Sequence, residues 1–132
     1  SSPLLDRFDI RLAIDPPEAA MVFASQRKGE SSMEVRTRVE RARMRAQERG
    51  VSSNRELRGE ALEKFAPLSD QGRRLLRSRL ETGSLSMRGA QRTRAVALTL
   101  RDLEDTGGPI TTDDLEGALL LRGEEQQIGV LA

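Results

Sequence analysis

Cysteine and histidine are both absent from the 132 residues, and so are tryptophan and tyrosine. Without cysteine there is no disulfide framework and no thiolate nucleophile. Without histidine there is no Ser-His or Cys-His catalytic arrangement, and without either there is no zinc finger. Aromatic residues make up 2% of the chain, all phenylalanine. A core must therefore be assembled from Leu, Val, Ile, Ala and Met, a palette that suits helix packing better than a β-sandwich. Long apolar runs are missing too: none approaches the roughly 18 residues that a membrane span requires. No basic stretch followed by an apolar one opens the chain as a secretory signal would, so a cytoplasmic protein without a membrane role is expected. Charge of one sign is not in surplus either. Lys and Arg total 22 against 21 for Asp and Glu, a net charge of +1, so no long-range pull toward nucleic acid or membrane is written into the balance, although local patches can still form. Lysine is scarce: Lys28 and Lys64 leave 20 arginines. That bias is consistent with bidentate anion contacts or simply with genomic base composition.

What is present begins with an alternation. Phe8, Ile10, Leu12 and Ile14 alternate with Asp9, Arg11, Ala13 and Asp15, and this period of two predicts a half-buried β-strand ended by Pro16-Pro17. A single strand cannot satisfy its own backbone donors and acceptors, so its partners are expected upstream or in another chain. From Glu18 to Glu30 the periodicity disappears and a linker is expected, with a short turn around Ala19 to Phe23.

Beyond the linker the signals are helical. Ser31 and Glu34 have capping-box spacing, and Val35, Val39, Ala42 and Ala46 share a face of a helix expected to reach about Arg49 and stop at Gly50. Ser53 with Glu56 repeats the cap before Leu57, Ala61, Leu62 and Phe65, which predicts a short second helix ending ahead of Pro67. Ser69-Asp70 opens a third with Leu75, Leu76 and Leu80, and Ser86 opens a fourth carrying Met87, Ala90, Ala97, Leu100 and Leu103. Thr111 with Asp114 starts the last, with Leu115, Ala118, Leu119 and Leu120 expected inward. The predicted class is mainly α: an antiparallel bundle of four to five helices preceded by one isolated β-strand and a linker. The division expected is 1–30 for strand and linker and 31–132 for the helical domain.

Little in the residues themselves carries catalysis. No G-x-x-x-x-G-K-[ST] loop is present, so the chain is not expected to hydrolyse ATP alone. The acidic clusters Asp113-Asp114-Glu116 and Glu124-Glu125 read as a helix N-terminus and a solvated tail, and no metal site is expected. The first long helix carries Arg36, Arg38, Arg41, Arg43, Arg45 and Arg49 among Glu34, Glu40 and Glu48. Glu34 and Arg38 have i,i+4 spacing, so an ion-paired, solvated face is one reading and phosphate contacts are the other. Arg7 stands just ahead of the strand, where packing would fix its guanidinium at a domain edge, or where it would simply pair with Asp6 or Asp9.

The run Ser2-Pro3-Leu4-Leu5-Asp6-Arg7-Phe8-Asp9 resembles the segment S-G-P-L-L-D-R-[FI]-D of the magnesium-chelatase-type AAA+ ATPases. The resemblance is to their ComM-like competence group in particular, with minichromosome maintenance helicases as more distant relatives. Glu30-Ser31-Ser32 before an Arg-rich helix resembles the family's G-E-S-S. Asn54, Leu57, Leu62 and Pro67-Leu68 fall at a similar spacing. Leu85-Ser86-Met87-Arg88-Gly89 with Arg92, Val96-Ala97, Thr99 and Asp102-Leu103 resembles the helix L-S-x-R-x-x-x-R-x-x-x-V-A-x-T-x-x-D-L. The chain departs from the pattern in lacking the Gly between Ser2 and Pro3. It also has Ala90, Gln91 and Thr93 where ComM-like members often carry an aromatic, a His and an aliphatic residue, and Leu98 where Arg is common.

The resemblance implies a C-terminal lid region, with the last strand of an upstream nucleotide-binding core at its start. It implies that Arg7 is the arginine finger reaching a neighbouring subunit's ATP site, a catalytic role, and that Arg88 is the sensor-2 residue, with Arg92 one turn on as the alternative nucleotide contact. ATP and Mg2+ would be held by the upstream core and not tightly by this chain. The partners implied are that core and the neighbouring subunits of a homo-oligomeric ring, with DNA as a further candidate. The competing function is a helical DNA-binding or adaptor module that uses the Arg-rich first helix.

Overall fold

The structure, a computed structural model, describes residues 3–23 and 29–123. The described residues contain six helices: α1 (Ala19–Val22), α2 (Ser32–Glu48), α3 (Gly59–Phe65), α4 (Asp70–Glu81), α5 (Met87–Glu104) and α6 (Thr112–Leu121). Two single 3-10 turns accompany them, Leu5–Arg7 and Asn54–Glu56.

Local chemistry starts most of these helices where the sequence places them. At α2 the Ser31 hydroxyl accepts the Glu34 N–H at 3.2 Å while the Glu34 carboxylate accepts the Ser31 N–H at 2.8 Å, so both halves of the capping box form. Thr111 and Asp114 do the same at α6, and Ser69 and Ser86 accept the Gly72 and Gly89 N–H groups at 3.0 and 2.9 Å to cap α4 and α5. The short turn expected near Ala19 is α1. Ser53 behaves differently from the prediction. Its hydroxyl accepts the Arg55 N–H at 3.3 Å and caps only the 3-10 turn, and the Glu56 carboxylate turns back to Ser52. Leu57 and Arg58, both in extended conformation, then separate this turn from α3, which opens on Gly59 at φ +46°, so one expected helix becomes a turn followed by a seven-residue helix.

The expected β-strand does not form. Residues 8–15 carry no regular secondary structure and bend at Asp9, and no β-strand occurs among the described residues, so no ladder holds them. Their anchors are individual: the Arg11 N–H donates to the Leu121 carbonyl at 2.7 Å, and Arg122 Nη1 donates to the Phe8 carbonyl at 3.4 Å. The alternation is real, yet with no sheet to receive it the apolar row stays open, and Ile14 is 86% exposed. Of the linker expected between Glu18 and Glu30, and of the 1–30 segment, residues 24–28 lie outside the described residues, as do Ser2 and Glu124-Glu125.

The core surrounds α5, whose Ala90, Thr93, Ala95, Val96, Ala97 and Leu98 are all buried. Small side chains on a central helix let α2 and α6 approach closely, and Leu57, Leu62, Leu76, Leu85, Ile110, Leu115, Ala118 and Leu119 complete the packing. In α6 the inward stripe runs through 115, 118, 119 and 122, which leaves Leu120 off the face and 51% exposed, contrary to its expected burial. A lone parallel bridge joins Leu68 and Ile110: the Ser69 N–H donates to the Ile110 carbonyl and the Ile110 N–H to the Pro67 carbonyl, at 2.9 and 2.7 Å. It sets the starts of α4 and α6 side by side. The loop between α5 and α6 wraps the Arg101 guanidinium, which donates to the Gly107 and Pro109 carbonyls and to the Asp114 carboxylate. No helix among the described residues is long and apolar enough to cross a membrane.

Candidate functional site

Arg7 closes the first 3-10 turn, which is shaped by its own N–H donating to the Leu4 carbonyl at 3.2 Å. Its side chain is exposed. Arg88 lies in the first turn of α5, directly after the Ser86 cap, and is exposed as well. Neither guanidinium makes a hydrogen bond or ion pair among the described residues.

Arg92, one turn beyond Arg88 on α5, is placed differently: it is only 5% exposed. Its charge partner is Asp9, with Arg92 Nη1 at 3.5 Å from Asp9 Oδ1, and Arg55 Nε approaches Asp9 Oδ2 at 3.2 Å. Arg92 Nη1 and Asp9 Oδ1 are both buried and make no hydrogen bond. Burial pushes the Arg92 pKa down, the Asp9 carboxylate pulls it back, and the positive charges of Arg55, Arg58 and Arg88 push it down further. The guanidinium stays protonated regardless, since an arginine in a protein does not give up its proton. Arg92 thus lies in the field of three other guanidinium groups, those of Arg55, Arg58 and Arg88, against the single carboxylate of Asp9, a local excess of positive charge suited to an anion. The pairing of Asp9 with Arg55 and Arg92, in place of the Arg7 partnership the sequence offered as one alternative, escapes sequence reasoning because no spacing connects the N-terminal segment to α5.

Most other arginines serve the fold. On α2, Arg36 pairs with Glu40 at 3.3 Å and both arms of the Arg38 fork reach Glu30. Glu34 is taken by the helix cap, which is why the expected Glu34–Arg38 pair gives way to Glu30. The hydrogen bonds from Arg38 hold the Glu30 carboxyl below its usual range. Arg41 and Arg45 meet Asp105, a non-glycine residue at φ +61° that ends α5. Arg49 grips Asp102 with two hydrogen bonds of 2.6 and 2.7 Å. Asn54 joins this network, donating to Asp102 at 2.9 Å and to Thr99 at 3.0 Å. Arg94 donates to the Ala66 carbonyl at the end of α3 and to Glu63, and that bond holds the Glu63 carboxyl low.

The acidic residues do not converge. Asp114 is divided between the Thr111 cap and Arg101, and the described residues contain no group of three or more potential metal ligands. Burial works against ionisation of Asp114, but hydrogen bonds from the Thr111 N–H, from Arg101 and from the Thr111 hydroxyl outweigh it and keep the pKa below the ordinary value.

Similarity to known proteins runs over this same helical region. Residues 29–122 match the family described as the C-terminal part of ChlI, a subunit of magnesium chelatase. The chain is 39% identical over 127 residues to the uncharacterized protein Rv2897c of Mycobacterium tuberculosis, covering 92% of this chain and 24% of that protein. It is 38% identical over 104 residues to the uncharacterized protein YifB of Salmonella typhimurium, covering 79% of this chain and 21% of that one. The competence protein ComM of Haemophilus influenzae is 30% identical over 104 residues, 79% of this chain and 20% of the relative. The chain thus spans about a fifth to a quarter of the length of these relatives. With α2 to α6 all inside the matched region, the chain belongs to the magnesium chelatase ChlI C-terminal family, in its ComM-like group.

Proposed function

We propose that this chain acts as the lid-type domain of a ring-forming, ATP-driven machine. In this reading Arg7 is an arginine finger serving the nucleotide site of a neighbouring subunit, and Arg88 is the sensor-2 residue of its own. The observation that carries the reading is the state of Arg88. Nearly every arginine of α2 is engaged by a carboxylate, whereas Arg88 is exposed, makes no hydrogen bond or ion pair among the described residues and lies beside further positive charge, in a chain whose family match covers its helix. An unpaired guanidinium fork suits a polyphosphate, because it makes bidentate, charge-assisted bonds to phosphate oxygens. The described residues offer no carboxylate cluster for a metal, and in this reading Mg2+ would be held by a nucleotide-binding core outside this chain.

Bound ATP with its Mg2+ supplies the phosphoryl group that is transferred. Arg88, fixed by the Ser86 cap at the start of α5, would bring a positive charge toward that group and tie the orientation of the helix to whether it is there. Arg7, held at the end of a 3-10 turn, would stabilise the negative charge that develops during transfer and act from outside the pocket. A finger acting in trans needs head-to-tail contacts that close into a ring. DNA binding along α2 has weaker support, since Arg36, Arg38, Arg41, Arg45 and Arg49 are already engaged.

The test is Arg7→Ala in the intact protein. Turnover of ATP is expected to fall by about two orders of magnitude or more while nucleotide binding persists. Unchanged turnover removes Arg7 from the role. Steeply salt-sensitive DNA binding that is lost on neutralising α2 would favour the other reading.

A further inference from the structure

We propose that Asp9 is a positioning residue that locks the Arg7-bearing segment to α5 through Arg92 and Arg55, so that the finger segment and the lid helix move as one body. This rests on the reading of Arg7 and Arg88 above. Asp9 follows Arg7 by two residues, so its anchorage limits where Arg7 can point. Its carboxylate stands between two guanidiniums from different elements, Arg55 of the 3-10 turn at 3.2 Å and Arg92 of α5 at 3.5 Å. Arg92 is almost wholly buried, and its neighbours Arg55, Arg58 and Arg88 are all positive. Without Asp9 its charge would be left in the interior with nothing opposite, so the carboxylate is held there by necessity.

The bonds on either side point the same way. The Phe8 carbonyl accepts from Arg122, and the Arg11 N–H donates to the Leu121 carbonyl at 2.7 Å, which ties both flanks of Asp9 to the end of α6. Apolar burial adds little, because Phe8 and Ile10 remain 52% and 49% exposed. The segment is therefore held chiefly by polar contacts, and the Asp9–Arg92 pair reaches the helix carrying Arg88. A displacement of α5 when Arg88 gains or loses an anion is passed one turn along to Arg92, then to Asp9, then to Arg7. The link would couple nucleotide state in one subunit to the finger presented to the next.

The experiment compares Asp9→Asn, Asp9→Glu and the double variant Asp9→Asn/Arg92→Met in the intact protein, by amide hydrogen exchange and by ATP turnover. Asp9→Asn is expected to speed exchange of the Arg11 amide about tenfold or more. It should also lower kcat about tenfold while KM for ATP stays within about twofold, and Asp9→Glu should restore most of the loss. Wild-type protection of the Arg11 amide in folded Asp9→Asn overturns the link. Should that single variant fail to fold, the double variant, which removes both charges, is expected to fold and to show the same fast exchange, and wild-type protection there overturns the link equally. Fast Arg11 exchange in Asp9→Asn combined with unchanged turnover in Arg7→Ala supports the link and overturns the finger.

Discussion

Replacing Asp102 by Ala cuts the polar network that fastens α2 to α5, and its cost follows from what each partner is left with. The carboxylate is 2% exposed and accepts two bonds from Arg49, at 2.6 and 2.7 Å, and one from Asn54 at 2.9 Å. Asn54 retains its bond to Thr99 at 3.0 Å, so the principal orphan is the Arg49 guanidinium. Removing one member of a buried ion pair costs about 3–5 kcal/mol, because the remaining charge stays in the interior. The Arg49 side chain keeps 15% of its surface in contact with solvent, which places Asp102→Ala at the lower end, about 3 kcal/mol. Against a total stability of about 5–15 kcal/mol for a domain of this size, that is a large fraction, and Tm should drop by roughly 10 °C or more.

The complementary Arg49→Ala strands a more deeply buried group and should be worse at neutral pH. Urea unfolding followed by far-UV circular dichroism gives both values, and the double variant closes a thermodynamic cycle. A loss of under about 1 kcal/mol for Asp102→Ala, or a coupling of under about 0.5 kcal/mol in the cycle, would refute the argument.

Two glycines in comparable first-turn positions should respond in opposite ways to alanine. At Gly72 a Cβ would stand 3.0 Å from the Ile110 carbonyl oxygen, which the Leu68–Ile110 bridge fixes, so Gly72→Ala should cost about 1–3 kcal/mol despite better helix propensity. At Gly89 the nearest atom, at 2.9 Å, is the Leu85 Cδ1 methyl, which can rotate aside. Gly89→Ala should therefore fall within about 1 kcal/mol of wild type, and equal losses in thermal melts would show the distinction to be false. Asp114→Asn tests the Arg101 loop. Because the folded pKa of Asp114 lies below its unfolded value, the ionised carboxylate stabilises the fold above the unfolded pKa of about 4, and that contribution fades as pH falls through the folded pKa. Wild type should exceed Asp114→Asn in denaturant midpoint at neutral pH, with the gap closing in acid. A gap that widens in acid contradicts the assignment.

The helix starts at Ser31, Ser69, Ser86 and Thr111 were legible because a cap is decided within four residues of chain. The same local reasoning misjudged Ser53, where the extended Leu57 and Arg58 interrupt the run, and Leu120, where the stripe continues to Arg122. It also misjudged the alternation at Phe8 to Ile14, since a strand is a property of its neighbours and not of its own residues. In the candidate site, Arg7 and Arg88 were picked out through motif resemblance. The burial of Arg92 against Asp9 was hidden, because the pairing joins residues far apart in sequence and leaves no periodic trace. The Asp102 network was equally hidden: its partners come from three separate elements, and each looks like an ordinary polar residue beside its sequence neighbours.

The turn around Arg101 takes its shape from a cation. The carbonyls of Gly107 and Pro109 and the carboxylate of Asp114 converge on one planar fork, and a fork of fixed geometry tolerates no slack in what surrounds it. Such a turn resists both lengthening and straightening, although it lies at the surface where insertions are usually harmless. Exchange of α6 between two copies would require that connection to open into a hinge, which the mould around the guanidinium opposes.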